Sequence, residues 1–167
     1  MRVGRGQPAV LVSLLRQGEV PERVQTPGAG IARLLGPGLP RSYRLTRAVG
    51  IFGQVMAEYM LTYMLGHERE VLSRLVSQVE RRWDDRQGCS LEGRKVLVVG
   101  TGDIGQRVAA FLQPFGVVLY GVASSARGQA PFVEVAALED LPRLVGEVDY
   151  VLNLLPDTPA THDIYDA

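Results

Sequence analysis

The chemistry in this 167-residue chain gathers at one hexapeptide, Gly100-Thr101-Gly102-Asp103-Ile104-Gly105. A β-branched run, Lys95-Val96-Leu97-Val98-Val99, leads into it, and apolar residues at helical spacing follow it. In that setting each glycine has a mechanical role. Gly100 permits a tight turn off a strand. Gly102 lets the backbone approach a pyrophosphate. Gly105 lets a helix sit close to the strand. The first-turn amides and the helix dipole then point at the phosphates. Ile104 and Asp103 belong to the same turn. Asp103 has the same charge sign as a diphosphate, so its side chain is expected to cap the helix or face solvent. The expected ligand is a nicotinamide dinucleotide.

The end of the next strand reads the ribose. A carboxylate about 20 residues past the glycines would bond the ribose hydroxyls of NAD. Ala123 stands at that position, followed by Ser124, Ser125 and Arg127. Losing the acid removes repulsion toward a 2′-phosphate, and serine and arginine can donate to one. NADP(H) is therefore favoured over NAD(H). The remaining reactive residues carry less. His67 reads as a surface or satisfied structural residue beside Glu68 and Glu70. His162 has no acid partner visible in the sequence that would make it a general base. Trp83 is expected to pack as a hydrophobic plug. Neither a catalytic residue nor a metal ligand set is assigned.

These side chains need a scaffold of alternating elements. Strands are expected at 95–99, 117–122, 131–135 and 148–155, with helices at 103–115 and 138–145. That alternation builds an α/β fold, a partial Rossmann doubly wound parallel sheet of about four strands. Ahead of it, 54–82 reads as one long helix with a wide apolar stripe through Val55, Met56, Tyr59, Met60, Tyr63 and Met64, bent near Gly66. Residues 1–45 are rich in Gly and Pro. Within them 9–15 reads as strand or helix, and nothing is long enough for an independent core. The expected division is 1–53 as a partial substrate domain and 54–167 as the amino-terminal part of a dinucleotide domain.

Composition agrees. Hydrophobic residues make up 46% of the chain, enough for a core, and the 22% charged residues balance to zero net charge. A neutral balance argues against a nucleic-acid partner. No apolar run approaches the roughly 18 residues of a membrane span, and no secretory signal is visible. A single cysteine, Cys89, can form no internal disulfide, which fits a reducing, cytoplasmic setting.

Four stretches resemble the D-isomer-specific 2-hydroxyacid dehydrogenases, in particular the glyoxylate/hydroxypyruvate reductase branch. Gln25-Thr26-Pro27-Gly28-Ala29-Gly30 resembles the loop whose backbone amides hold the substrate carboxylate, which implies such a role for Ala29 and Gly30. Leu45-Thr46-Arg47 through Met56-Ala57-Glu58-Tyr59 resembles the entry to the interdomain helix. Leu91-Glu92-Gly93-Arg94-Lys95 resembles the approach to the glycine motif. Asn153-Leu154-Leu155-Pro156-Asp157-Thr158 resembles a segment lining the cofactor cleft, which implies contacts from Leu155, Pro156 and Thr158.

The resemblance implies hydride transfer between a nicotinamide and a small 2-keto or 2-hydroxy acid. It also implies a homodimer through the long helix and its surroundings. The family's substrate-gripping arginine and its histidine–acid pair lie downstream of the resembling stretches, and its first strands have no counterpart before Pro21. The chain is thus expected to be truncated at both ends, to bind dinucleotide weakly and not to turn substrate over alone. Two other readings are a non-catalytic nucleotide-sensing Rossmann module and a decayed gene product. The roughly ninety residues before the motif, and Ala123 in place of the acid, favour the dehydrogenase over the sensing module.

Overall fold

A computed structural model describes residues 8–158 and 160–165. The chain forms two compact units, one from residues before Phe52 and after Leu154, the other Phe52–Leu154.

In the first unit, helix α1 (Pro8–Arg16) precedes strands β1 (Arg23–Thr26) and β2 (Arg44–Arg47). The strands pair in parallel, from Arg23 opposite Arg44 to Thr26 opposite Arg47. The open choice at 9–15 resolves as helix, because Leu11 and Leu15, one turn apart, are both buried. They meet Val24, Leu34 and Leu39 in a small core. This corrects the expectation that the region has no core of its own.

The second unit runs α2 (Gly53–Glu68), α3 (Val71–Val79), β3 (Lys95–Val99), α4 (Asp103–Leu112), β4 (Val118–Ala123), β5 (Glu134–Ala137), α5 (Leu141–Val145) and β6 (Tyr150–Asn153). The four strands are parallel in the order β5-β4-β3-β6. β3 is the founding strand. Its Val96, Leu97, Val98 and Val99 are fully buried, as a strand covered on both faces requires. β4 leaves it on one side, and the chain then crosses back to lay β6 on the other. That reversal of direction is where open α/β sheets bind ligands.

The expected single helix over 54–82 is two helices. Glu68 closes α2 because its carbonyl accepts from the Cys89 amide at 2.7 Å instead of continuing the helical ladder. Glu70 then takes a left-handed conformation (φ 52°) and α3 restarts with Arg74 N–H donating to the Glu70 carbonyl. The break therefore falls four residues beyond Gly66, at a non-glycine, and a tertiary contact causes it.

α2 buries Gly53, Ala57, Met60, Met64 and Glu68, at spacings of three and four. The small residues bring it hard against α4, where a Cβ on Gly53 would lie 2.4 Å from Arg107 Cγ. Val55, Tyr59 and Tyr63 stand on its exposed side. α3 is amphipathic in the opposite sense. Leu72, Leu75, Val76 and Val79 are exposed and Ser77 is the buried side chain. Ser77 donates to Asp84 at 3.2 Å. Hydrogen bonds from the Arg86 side chain hold the Asp84 carboxyl far below the usual range, against the opposing effect of burial. Trp83 is 89% exposed, which corrects its expected role as a core plug. Asp84 beside it takes the inward position by accepting from Ser77, and the indole is left outside.

At the other end of the sheet from the glycine turn lies a buried charge. Glu68 receives a bidentate grip from Arg94, with Nε and a terminal nitrogen each at 2.9 Å, and a hydrogen bond from the Tyr150 hydroxyl. Arg94 also faces Asp149 at 3.6 Å, and Asp149 accepts from the Lys95 amide at 2.8 Å. The end of α2 and the starts of β3 and β6 are thereby tied together.

Candidate dinucleotide site

The glycine motif forms the turn between β3 and α4. Gly100 has φ 103°, a conformation that side chains resist, and its amide donates to the Val122 carbonyl at 2.9 Å. This turns the chain across the end of β4. Gly102 is the residue from which α4 starts, and the helical ladder begins with the Gln106 amide on the Gly102 carbonyl at 2.8 Å. First-turn amides ahead of that bond lie outside the ladder, the arrangement that receives anions at helix starts.

The two other glycines differ instructively. A Cβ on Gly102 would meet nothing within 4 Å, so the space above this backbone is open. A Cβ on Gly105 would lie 2.1 Å from the Gly100 carbonyl oxygen. The first glycine leaves open space over the backbone and the second keeps the helix on the strand. Ile104 is half-buried and packs on the core, while Asp103 is exposed at the first helical position.

Ala123 ends β4, buried, and Ser124 and Ser125 follow it exposed. Arg127 is drawn back to the glycine turn, where its terminal nitrogen donates to Thr101 Oγ1 at 2.8 Å. The structure thus brings Arg127 together with the motif. Ala29, Gly30, Leu155, Pro156 and Thr158 belong to the other compact unit. There the Ala29 carbonyl accepts from Arg47 at 2.8 Å, and Gly28 N–H donates to Thr26 Oγ1 at 3.3 Å. The Thr158 hydroxyl pairs with that of Thr161 at 2.8 Å, and its carbonyl caps the His162 amide.

His162 does have an acid neighbour, contrary to expectation. Its Nδ1 lies 3.2 Å from Asp157, both largely exposed. The pair spans five residues of a turn that the sequence did not announce. His67 is exposed, with its ring edge-on to Tyr150 at 6.1 Å. Two residues bonded to Arg127 were not singled out from sequence, Thr101 and Gln129. Only their polarity beside the glycines and beside Arg127 could have marked them. Among the described residues no cluster of three or more His, Cys, Asp or Glu could hold a metal, and no helix is long and apolar enough to cross a membrane.

A parallel sheet that reverses direction beside a glycine turn and a helix start defines an α/β domain of Rossmann type. The chain belongs to the D-isomer specific 2-hydroxyacid dehydrogenase family, whose NAD binding domain model matches residues 61–167. A D-isomer specific 2-hydroxyacid dehydrogenase family protein from Aeromonas salmonicida superposes with a TM-score of 0.85 at 33% identity, over 96% of this chain and 52% of that one. An NADPH-dependent glyoxylate/hydroxypyruvate reductase from Sinorhizobium meliloti, solved with NADP and sulfate, gives 0.75 at 25% identity, over 95% and 49%. An uncharacterised protein of Streptomyces coelicolor is 34% identical over 139 residues, 82% of this chain and 50% of its own length. The chain thus spans about half the length of these relatives.

Proposed function

We propose that this chain is the NAD(P)-binding portion of an oxidoreductase that transfers hydride between a nicotinamide and a small 2-keto or 2-hydroxy acid of glyoxylate/hydroxypyruvate type. NADP(H) is the favoured cofactor. The observation that carries this is the turn from Gly100 to Gly105, open above Gly102 and closed under Gly105, with Arg127 held to Thr101 beside it.

The residues present fit the group. The Gly100, Gly102, Asp103, Ile104 and Gly105 backbone would take the pyrophosphate on the first turn of α4. Ser124, Ser125 and Arg127, past the end of β4, would take a ribose 2′-phosphate. When bound, the nicotinamide supplies or accepts the hydride. Ala29 and Gly30 would hold the substrate carboxylate through backbone amides. In this reading residues 1–53 are part of a substrate domain and 54–167 the amino-terminal part of the dinucleotide domain. The 167 residues by themselves bind dinucleotide weakly and without turnover. The exposed free thiol of Cys89 suits a reducing, cytoplasmic setting.

The test is a titration of the purified chain with NADPH and, separately, NADH, followed by nicotinamide fluorescence. NADPH binds more tightly. Arg127→Ala lowers NADPH affinity about ten- to a hundredfold, as loss of a charge-assisted bond to phosphate does. NADH affinity stays the same. A folded chain that binds neither dinucleotide overturns the reading.

The same reading includes a homodimer. Val55, Tyr59 and Tyr63 on α2 and Leu72, Val76 and Val79 on α3 are exposed apolar side chains on one pair of helices. Such exposure on a folded unit marks an interaction surface. Sedimentation of the chain gives a dimer, and Tyr63→Glu with Val79→Glu gives a monomer of unchanged fold. A monomeric wild-type chain at tens of micromolar removes the dimer from the proposal.

A further inference from the structure

Arg127 is not a free surface arginine. Its Nε donates to Gln129 Oε1 at 2.7 Å and its terminal nitrogen to Thr101 Oγ1 at 2.8 Å. Gln129 and Thr101 are bonded to each other twice. The Thr101 hydroxyl donates to Gln129 Oε1 at 3.1 Å, and Gln129 Nε2 donates to the Thr101 carbonyl at 3.0 Å. Every hydrogen bond in the ring has a consistent donor and acceptor. Thr101 is itself fixed. It is 3% exposed, and its methyl group stands where a Cβ on Gly121 would come within 2.5 Å. The Arg127 amide donates to the Val135 carbonyl at 3.0 Å, which fixes the backbone below the side chain.

The tether consumes one side of the guanidinium fork, Nε and one terminal nitrogen. The end-on edge keeps donors for a ligand, because guanidinium carries five N–H groups. An arginine held in this way gives up less rotamer freedom on binding than a loose one.

We propose that Gln129, acting with Thr101, is a positioning residue that sets dinucleotide preference, by holding the Arg127 guanidinium ready for the 2′-phosphate of NADP(H). This rests on the dinucleotide reading above and adds the residues that decide between its two cofactors. Gln129 touches neither the ribose nor the phosphate in this account. It acts through Arg127.

The full 167-residue chain is titrated with NADPH and NADH by nicotinamide fluorescence, in wild-type form and as Gln129→Leu, Gln129→Glu and Thr101→Val. Circular dichroism confirms folding of each. Gln129→Leu and Thr101→Val lower the NADPH-to-NADH affinity ratio by roughly three- to tenfold, the cost of ordering one loose side chain. In Gln129→Leu, which lies outside the glycine turn, NADH affinity itself stays within about twofold. Gln129→Glu keeps the acceptor for Arg127 but loses the Nε2 donor to the Thr101 carbonyl and adds an anion beside the 2′-phosphate, and it lowers the ratio by more than tenfold, on the order of one like-charge contact. A ratio that stays at the wild-type value in Gln129→Leu and Gln129→Glu overturns the proposal, even with NADPH preferred throughout. So does an equal loss of both affinities, which marks a merely structural tether. A folded wild-type chain that binds neither dinucleotide overturns the dinucleotide reading, and the proposal falls with it.

Discussion

Gly105→Ala lowers the stability of the second unit by about 3 kcal/mol or more and abolishes measurable dinucleotide binding. Overpacking a core against side chains costs about 1–3 kcal/mol, because side chains can shift. Here the obstacle is backbone. The new methyl group would lie 2.1 Å from the Gly100 carbonyl oxygen, 3.1 Å from its carbon and 3.3 Å from Val98 Cγ1. Gly100 is itself fixed by its bond to Val122. Relief requires α4 to lift from β3, and that moves the first-turn amides away from the proposed phosphate position. Gly102→Ala separates the two effects. Its methyl group meets nothing within 4 Å beyond its own chain neighbours, so stability is kept while binding falls. Urea unfolding gives the first quantity and NADPH titration the second. A wild-type unfolding midpoint in Gly105→Ala would mean that the strand and helix are not held by this contact.

Glu68→Ala is the other severe substitution, at the far end of the sheet. It strips Arg94 of its bidentate partner and leaves the Tyr150 hydroxyl without its acceptor inside a packed region. Removing one member of a buried pair costs about 3–5 kcal/mol when the other is trapped. Arg94 retains a route to water and to Asp149, so roughly 2 kcal/mol is expected. The effect depends on pH. Burial pushes the Glu68 carboxyl up, but the hydrogen bonds from Tyr150 and Arg94, with the Arg94 charge, outweigh it and hold it below its ordinary value. A depressed folded value gives stability that is fully present above the ordinary glutamate value, about 4.3. That stability is lost as pH falls through the folded value. Glu68→Gln should therefore unfold more easily than wild type at pH 7, with the gap closing below about pH 4. Urea midpoints measured from pH 7 to pH 3 check this. Parallel curves would mean that the carboxylate's charge contributes nothing.

What the sequence made legible was local. The run from Lys95 to Val99, the glycines behind it and the helix after them form one continuous signal, and strand, turn and helix stand where the spacing requires. The family resemblance follows from the same stretch and is established by residues 61–167. The partners that act at a distance were hidden. Glu68 meets Tyr150 across 82 residues and Arg94 across 26, and no periodicity encodes such a pairing. The break at Glu70 was hidden for the same reason. Glycine propensity pointed to Gly66, while the helix is stopped by an amide at Cys89. Trp83 was assigned to the core on hydrophobicity alone, and the neighbouring Ser77–Asp84 contact leaves it outside. Arg127 was singled out by its type and place, and the structure bonds it to the glycine turn. The glutamine bonded to it was not, because Gln129 meets Arg127 only when the loop folds back onto Thr101.

The crossing from one side of β3 to the other also governs the order of assembly. β3, α4, β4 and β5 are neighbours along the chain and can pair as they leave the ribosome. β6 starts about fifty residues after β3 ends. At about 5–20 residues per second, its emergence lags by roughly 3–10 s. Throughout that interval β3, an uninterrupted apolar strand, presents an unpaired edge with no charged residue after Lys95 to discourage another chain. The nascent protein therefore passes through a window in which its founding strand has an open edge, and closing that window falls to four residues, Tyr150 to Asn153.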